Sequence, residues 1–153
     1  MKGRPRKIER RVAEELSKYF ATIGGREVWR VPVLGPTGPD IDINEYGLVI
    51  DVKSRLEVPK GIYFDHAVCF DRFFALPMSD LPKMHDCEPE QIVFRSKIVS
   101  DYYDHMDEWT LKKRKDGITA LVLHKPGMPV KKAMLIVGIQ NMPRLKSWGS
   151  PII

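Results

Sequence analysis

Apolar positions change their period several times along this chain, and each change marks an element. From Ile8 to about Ile23, the residues Ile8, Val12, Ala13, Leu16, Tyr19 and Phe20 recur at helical spacing. That spacing predicts an amphipathic helix, ended by Gly24-Gly25. Glu27 to Val33 predicts a strand, with Pro32 suited only to its end or to an edge. Pro36, Gly38 and Pro39 exclude a helix before Asp40. Ile41 and Ile43 then alternate with Asp40 and Asp42, which is the period of a strand. Asn44 to Gly47 is a turn of hairpin length. Leu48 to Val52 is a β-rich apolar run, as a strand covered on both faces requires. Arg55 to Gly61 carries the chain out of the sheet.

Residues 62–98 read as an insert whose structure the pattern leaves open. Ile62-Tyr63-Phe64 and Phe70 to Leu76 fit strand or helix, and Gln91 to Phe94 fits a short strand. Pro77, Pro82 and Pro89 mark a loop-like middle. Ser100 is the predicted N-cap of a helix running to about Lys115 and ending at Asp116-Gly117. Tyr102, Met106 and Trp109, with Tyr103 beside them, are expected to face inward. Lys112 to Lys115 is a basic cluster that suits either the helix dipole or a phosphate contact. Ile118 to Leu123 predicts a strong strand, His124 to Pro129 a turn, and Ala133 to Ile139 a second strand. The tail from Gln140 reads as irregular, with Arg144, Lys146 and Trp148 as candidate contacts. No internal repeat is evident.

The chain has 153 residues, enough for one domain with a sizeable core. No apolar run approaches a membrane span, and the N-terminus is too charged for a secretory signal. The expectation is an intracellular, cytoplasmic protein with no membrane partner, in the host cytoplasm if the source is viral. Cys69 and Cys87 are too few for a disulfide framework. Charge changes the picture more. Lys2, Arg4, Arg6, Lys7, Arg10 and Arg11 stand against Glu9 alone, a local excess of +5 that equals the net charge of the whole chain. A flexible basic arm over residues 1–7 on a neutral body suggests a polyanion partner, most often nucleic acid. The plainer alternative is a solubilising terminus. Lys2 to Lys7 also resembles the Gly-Arg-Pro core of an AT-hook.

The candidate chemistry lies in the acids that interrupt the second and third strands. Asp51 and Lys53 share a face because side chains alternate along a strand. The hairpin brings Asp40 and Asp42 back beside them. An acid in a Val/Ile strand costs several kcal/mol unless it is paired or bound to a metal. Two carboxylates near one ammonium suit a hard divalent cation, with the lysine holding a water or a phosphate oxygen. Glu9 falls at about 100° on the first helix, inside an apolar stripe spanning about 0° to 140°. It either faces the body of the protein as a third acid or pairs at the rim with Arg6 or Arg10. His66, Cys69, His85 and Cys87 offer zinc donors, but their order and spacing match no common zinc motif.

Taken together, these features resemble the PD-(D/E)xK nuclease superfamily, and within it the archaeal-type Holliday-junction resolvases. The resemblance rests on Glu9-Arg10 in the first helix, Pro39-Asp40, and Asp51-Val52-Lys53-Ser54 after a hairpin. Leu121 to Gly127, ending in Lys125-Pro126-Gly127, adds to it. It covers residues 8–55 well and 100–139 loosely. It implies an α/β fold with a restriction-endonuclease-like core, a central mixed sheet flanked by helices in the order αβββαβ. The whole of residues 1–153 would be a single nuclease domain with the insert at about 62–98. It further implies Mg²⁺, with Mn²⁺ able to substitute, held by Glu9, Asp40, Asp51 and the Val52 carbonyl. Lys53 would position or help deprotonate the attacking water. Glu9, Asp40, Asp51 and Lys53 would be the catalytic set, with Asp42 the alternative to Asp40. Arg4, Arg6, Lys7, Arg10, Arg11, Thr37, Ser54 and Arg55 would contact DNA, branched in the resolvase reading, and the protein would act as a homodimer. The alternatives are a restriction- or repair-type nuclease on duplex or flap DNA, and a non-catalytic DNA-binding module on the same fold.

Overall fold

Two parallel strands make the middle of the sheet. β7 (Ile118–His124) is buried at all seven positions. β3 (Leu48–Ser54) runs parallel to it in register, from Leu48 opposite Ile118 to Ser54 opposite His124. Continuous apolar runs of this kind form strands covered on both faces. The computed structural model describes residues 10–16, 18, 29–30, 41–43, 47–54 and 60–148. The predicted arm at 1–7, Glu9, the segment around Thr37 and Asp40, and Arg55 lie outside the described residues.

The remaining strands are β1 (Trp29–Arg30), β2 (Ile41–Ile43), β4 (Val68–Phe70), β5 (Phe73–Pro77), β6 (Glu90–Ile92) and β8 (Met134–Gly138). The eight-stranded sheet has the order β1-β2-β3-β7-β8-β5-β4-β6. β1, β2 and β3 pair antiparallel in sequence, as do β7 with β8, β8 with β5 and β5 with β4, while β6 lies parallel to β4. The chain is thus α/β with a mixed sheet flanked by helices, as expected.

Each face has its own core. Residues 10–16 are helical (α1), and Val12, Ala13 and Leu16 pack with Ile41, Leu48, Ile50, Ile118, Ala120 and Val122. Met78, Leu81 and Met84 of a 3₁₀ stretch (Met78–Asp86) and Leu145 of α3 (Met142–Trp148) join the same core. On the opposite face, Val99 and Tyr103 of α2 (Lys97–Lys113) pack with Leu121, Leu123, Phe73 and Ile136. No helix among the described residues is long and apolar enough to cross a membrane.

Several sequence expectations change. The insert, whose structure the sequence left open, joins the central sheet, with β5, β4 and β6 extending it beyond β8. A two-residue turn joins β4 to β5, with Asp71 at φ 52°, a left-handed conformation that aspartate tolerates better than most residues. The cap of α2 lies four residues before the expected one. Ser96 is its N-cap and accepts from the Val99 N–H, while Ser100 lies inside the helix. The helix ends at Lys113, and its inward stripe is Val99, Tyr103, Met106 and Thr110. Tyr102 and Trp109 are only half-buried, one position off that stripe. The tail forms a 3₁₀ turn (Ile139–Asn141) and α3 rather than irregular chain.

The Gly138 N–H donates to the Tyr103 hydroxyl at 3.2 Å in a buried setting, tying the end of β8 to α2. Tyr103→Phe leaves that donor without its acceptor. We expect a loss of about 1–3 kcal/mol in urea unfolding with the fold retained.

Candidate active site

β3 and β7 are parallel and end together, so their last residues form one rim of the sheet. Ligand sites of open α/β sheets favour the carboxyl ends of such strands. Asp51 and Lys53 stand on the α2 side of β3, opposite Leu121 and Leu123 in the β7 register. Asp51 is only 6% exposed. The Lys53 ammonium lies 3.3 Å from its Oδ2 and 5.3 Å from the centre of the Tyr102 ring. The Lys53 side chain keeps 28% of its surface exposed. The ammonium therefore partly neutralises a carboxylate that burial penalises, and still reaches solvent. Ring and carboxylate together fix its position. Val52 lies between the two, with its side chain against the α1-side core.

Ser54 and His124 stand on the other side of the same rim. The His124 ring is 2% exposed, with Nδ1 3.0 Å from the Ser54 hydroxyl and Nε2 2.8 Å from the Met128 carbonyl. A carbonyl only accepts, so Nε2 carries the hydrogen and the Ser54 hydroxyl donates to Nδ1. Burial pushes the His124 imidazole below its ordinary value. The bond to the Met128 carbonyl opposes this, and the positive charge of Arg11 on α1 adds to it. The sequence placed His124 at the start of a turn, whereas it is the last residue of β7. Its partner Ser54 is 70 residues away in the chain, so no local pattern announces the pair.

The other expected site residues divide in two. Arg10 and Arg11 are exposed on α1. Asp42 sits in β2 opposite Val49, and Ile41 opposite Ile50. Glu9, Asp40, Arg4, Arg6, Lys7, Thr37 and Arg55 lie outside the described residues. The zinc alternative finds no geometric support. His66 is exposed between Asp65 (2.7 Å) and Glu90 (2.8 Å), and those bonds hold its imidazole above the ordinary range. His85 lies beside Asp86, and Cys69 and Cys87 are free thiols whose pKa values burial raises. Among the described residues, no group of three or more His, Cys, Asp or Glu is placed to hold a metal ion.

No protein-family model matches the chain, and neither the curated proteins nor the solved structures contain a significant match to it. The site therefore stands on its own geometry.

The His124 bridge sets a pH dependence. Folded His124 binds fewer protons than the unfolded chain, whose imidazole titrates near 6.5. Stability from this group is complete above that value and falls as pH drops through the depressed folded value. We expect wild type to exceed His124→Gln by about 1–2 kcal/mol above pH 6.5 in denaturant melts. That margin should shrink on acidification.

Proposed function

We propose that this chain is a Mg²⁺-dependent DNA endonuclease of the PD-(D/E)xK type, structure-specific and resolvase-like in its substrate. One observation carries the reading. A nearly buried aspartate interrupts an apolar central strand, with a lysine two residues on, 3.3 Å away and partly open to solvent. A structural ion pair would be an expensive way to fill that position. A hydrolytic site needs both groups there.

The connectivity supports the same reading. α1 precedes three antiparallel strands, and α2 then leads into β7, parallel to β3, with the two helices on opposite faces. That order is compatible with the αβββαβ arrangement of a restriction-endonuclease-like core, with β8, β5, β4 and β6 lying beyond β7. β2 also supports Asp40 over Asp42 as the second acid. Asp42 pairs with Val49, two residues short of Asp51.

A hard divalent cation would be held by the Asp51 carboxylate and the Val52 carbonyl, with Asp40 and Glu9, outside the described residues, as the further acids of the proposal. When bound, Mg²⁺ supplies Lewis-acid stabilisation of charge on the scissile phosphate. The chain's own residues do the rest. Lys53, steadied by Tyr102, holds the attacking water or a phosphate oxygen. Asp51 keeps that ammonium in place before substrate arrives. A homodimer, with paired sites cutting two strands, belongs to the same proposal.

Asp51→Asn and Lys53→Ala should each lower Mg²⁺-dependent cleavage of labelled DNA by about 10²-fold or more, with DNA binding retained. A panel of four-way junction, flap and plain duplex identifies the substrate. Paired symmetric nicks across the junction support the resolvase form, and preference for flap or duplex replaces it with a repair- or restriction-type nuclease. Undiminished cleavage by either purified variant refutes the site.

A further inference from the structure

We propose that the turn joining β7 to β8 is a phosphate-binding ledge that carries the DNA backbone past the end of β3. This rests on the nucleic-acid reading above and adds the path of the strand to it. The turn leaves β7 at His124, which pairs in register with Ser54, the residue after Lys53. It re-enters the sheet at Met134, opposite Leu123. The ledge therefore begins at the rim that holds Asp51 and Lys53.

Its charge is of one sign. Residues 124–133 contain Lys125, Lys131 and Lys132 and no acid. Lys131 and Lys132 are exposed and Lys125 is half-exposed. Among the described residues, no ion pair engages any of the three.

The backbone beneath them is held firmly. The His124 Nε2–H donates to the Met128 carbonyl at 2.8 Å, and the Met128 N–H donates to the Lys125 carbonyl at 2.9 Å. The Lys132 N–H donates to the Pro129 carbonyl at 3.0 Å and the Ala133 N–H to the Val130 carbonyl at 2.9 Å. Val130 and Ala133 are anchored in the α1-side core. Gly127, at φ 89°, takes the left-handed turn that closes the loop. Binding then costs little ordering of the chain, because the lysines already stand on a fixed support.

The second basic cluster, Lys112 to Lys115, differs in both respects. It lies at the start of β7, a strand length of roughly 20 Å from the rim. Lys112 pairs with Glu108 at 3.4 Å, and the Lys113 ammonium lies 5.9 Å from the Trp109 ring centre. Arg114 also has a partner. Three of these four charges are engaged, where none of the ledge lysines is.

The two clusters supply matched variants for a test. One full-length variant carries Lys125→Gln, Lys131→Gln and Lys132→Gln. The other carries Lys112→Gln, Lys113→Gln and Lys115→Gln, which removes the same charge. Affinity for a labelled four-way junction is measured by anisotropy in metal-free buffer over a range of salt. Each lost phosphate contact lowers the slope of log affinity against log salt by about 1. The ledge variant should lose about 2–3 of that slope and the control less than 1, with unchanged melting of both. Equal losses in the two variants, or no loss in the ledge variant, overturn the proposal, as does a wild-type chain that binds no DNA. A wild type that binds with the expected slope yet never cleaves in Mg²⁺ removes the nuclease reading and leaves the ledge standing.

Discussion

The parallel pairing of β3 with β7 is the constraint on which the other features depend. Seven residue pairs hold the two strands in register, and both strands end at the same level, at Ser54 and His124. A shift of one residue would send Asp51 and Lys53 into the α1-side core and Ile50 toward α2. The cores on the two faces therefore fix which side the acid and the lysine occupy. They also fix where the β7–β8 turn emerges. The Asp51–Lys53 pair, the Ser54–His124 bridge and the β7–β8 turn follow from one register.

Within that frame the two sides of the rim do different work. On the α2 side a charged pair is held in a partly dry setting, where each group is worth more to a ligand than it would be in water. On the α1 side the neutral Ser54–His124–Met128 chain joins β3, β7 and the following turn. It commits the Ser54 proton to His124. The hydroxyl is left as an acceptor, so it is poorly suited to donate to a phosphate while this bridge is formed. The phosphate contact expected at Ser54 from the sequence therefore lacks its donor, and in the proposed nuclease it would fall to Lys53.

Much of the central sheet was legible because its signals are local. The Leu48–Val52 run, the turn ending at Gly47 and the Ile118–Leu123 run each carry their own periodicity or composition. Asp51 and Lys53 were legible because polar groups at spacing two in such a run demand an explanation. The rest was hidden for physical reasons. β4 and β6 have three residues each, too short for any period to show, and β5 is apolar at every position. The α2 cap was misplaced because Ser96 and Ser100 are both plausible caps four residues apart. Only the Val99 N–H bond distinguishes them. Met106 and Tyr103 face inward as expected, whereas Tyr102 and Trp109 stand one position off the stripe and are half-buried. In the fold, Tyr102 serves the Lys53 ammonium, and Thr110 fills a tight space beside Gly117. The role of His124 arises only from long-range pairing.

In the proposed nuclease, Asp51 is a metal ligand rather than half of a structural ion pair. Crystals grown with Mn²⁺ in place of Mg²⁺ test it most directly, by anomalous difference density. A metal held there gives a peak at coordination distance, roughly 2 Å, from an Asp51 carboxylate oxygen. A second acid from Asp40 or Glu9 should share it, with Lys53 turned toward the open side. Saturating Mn²⁺ with no peak at Asp51, and the Asp51–Lys53 contact intact, would contradict it.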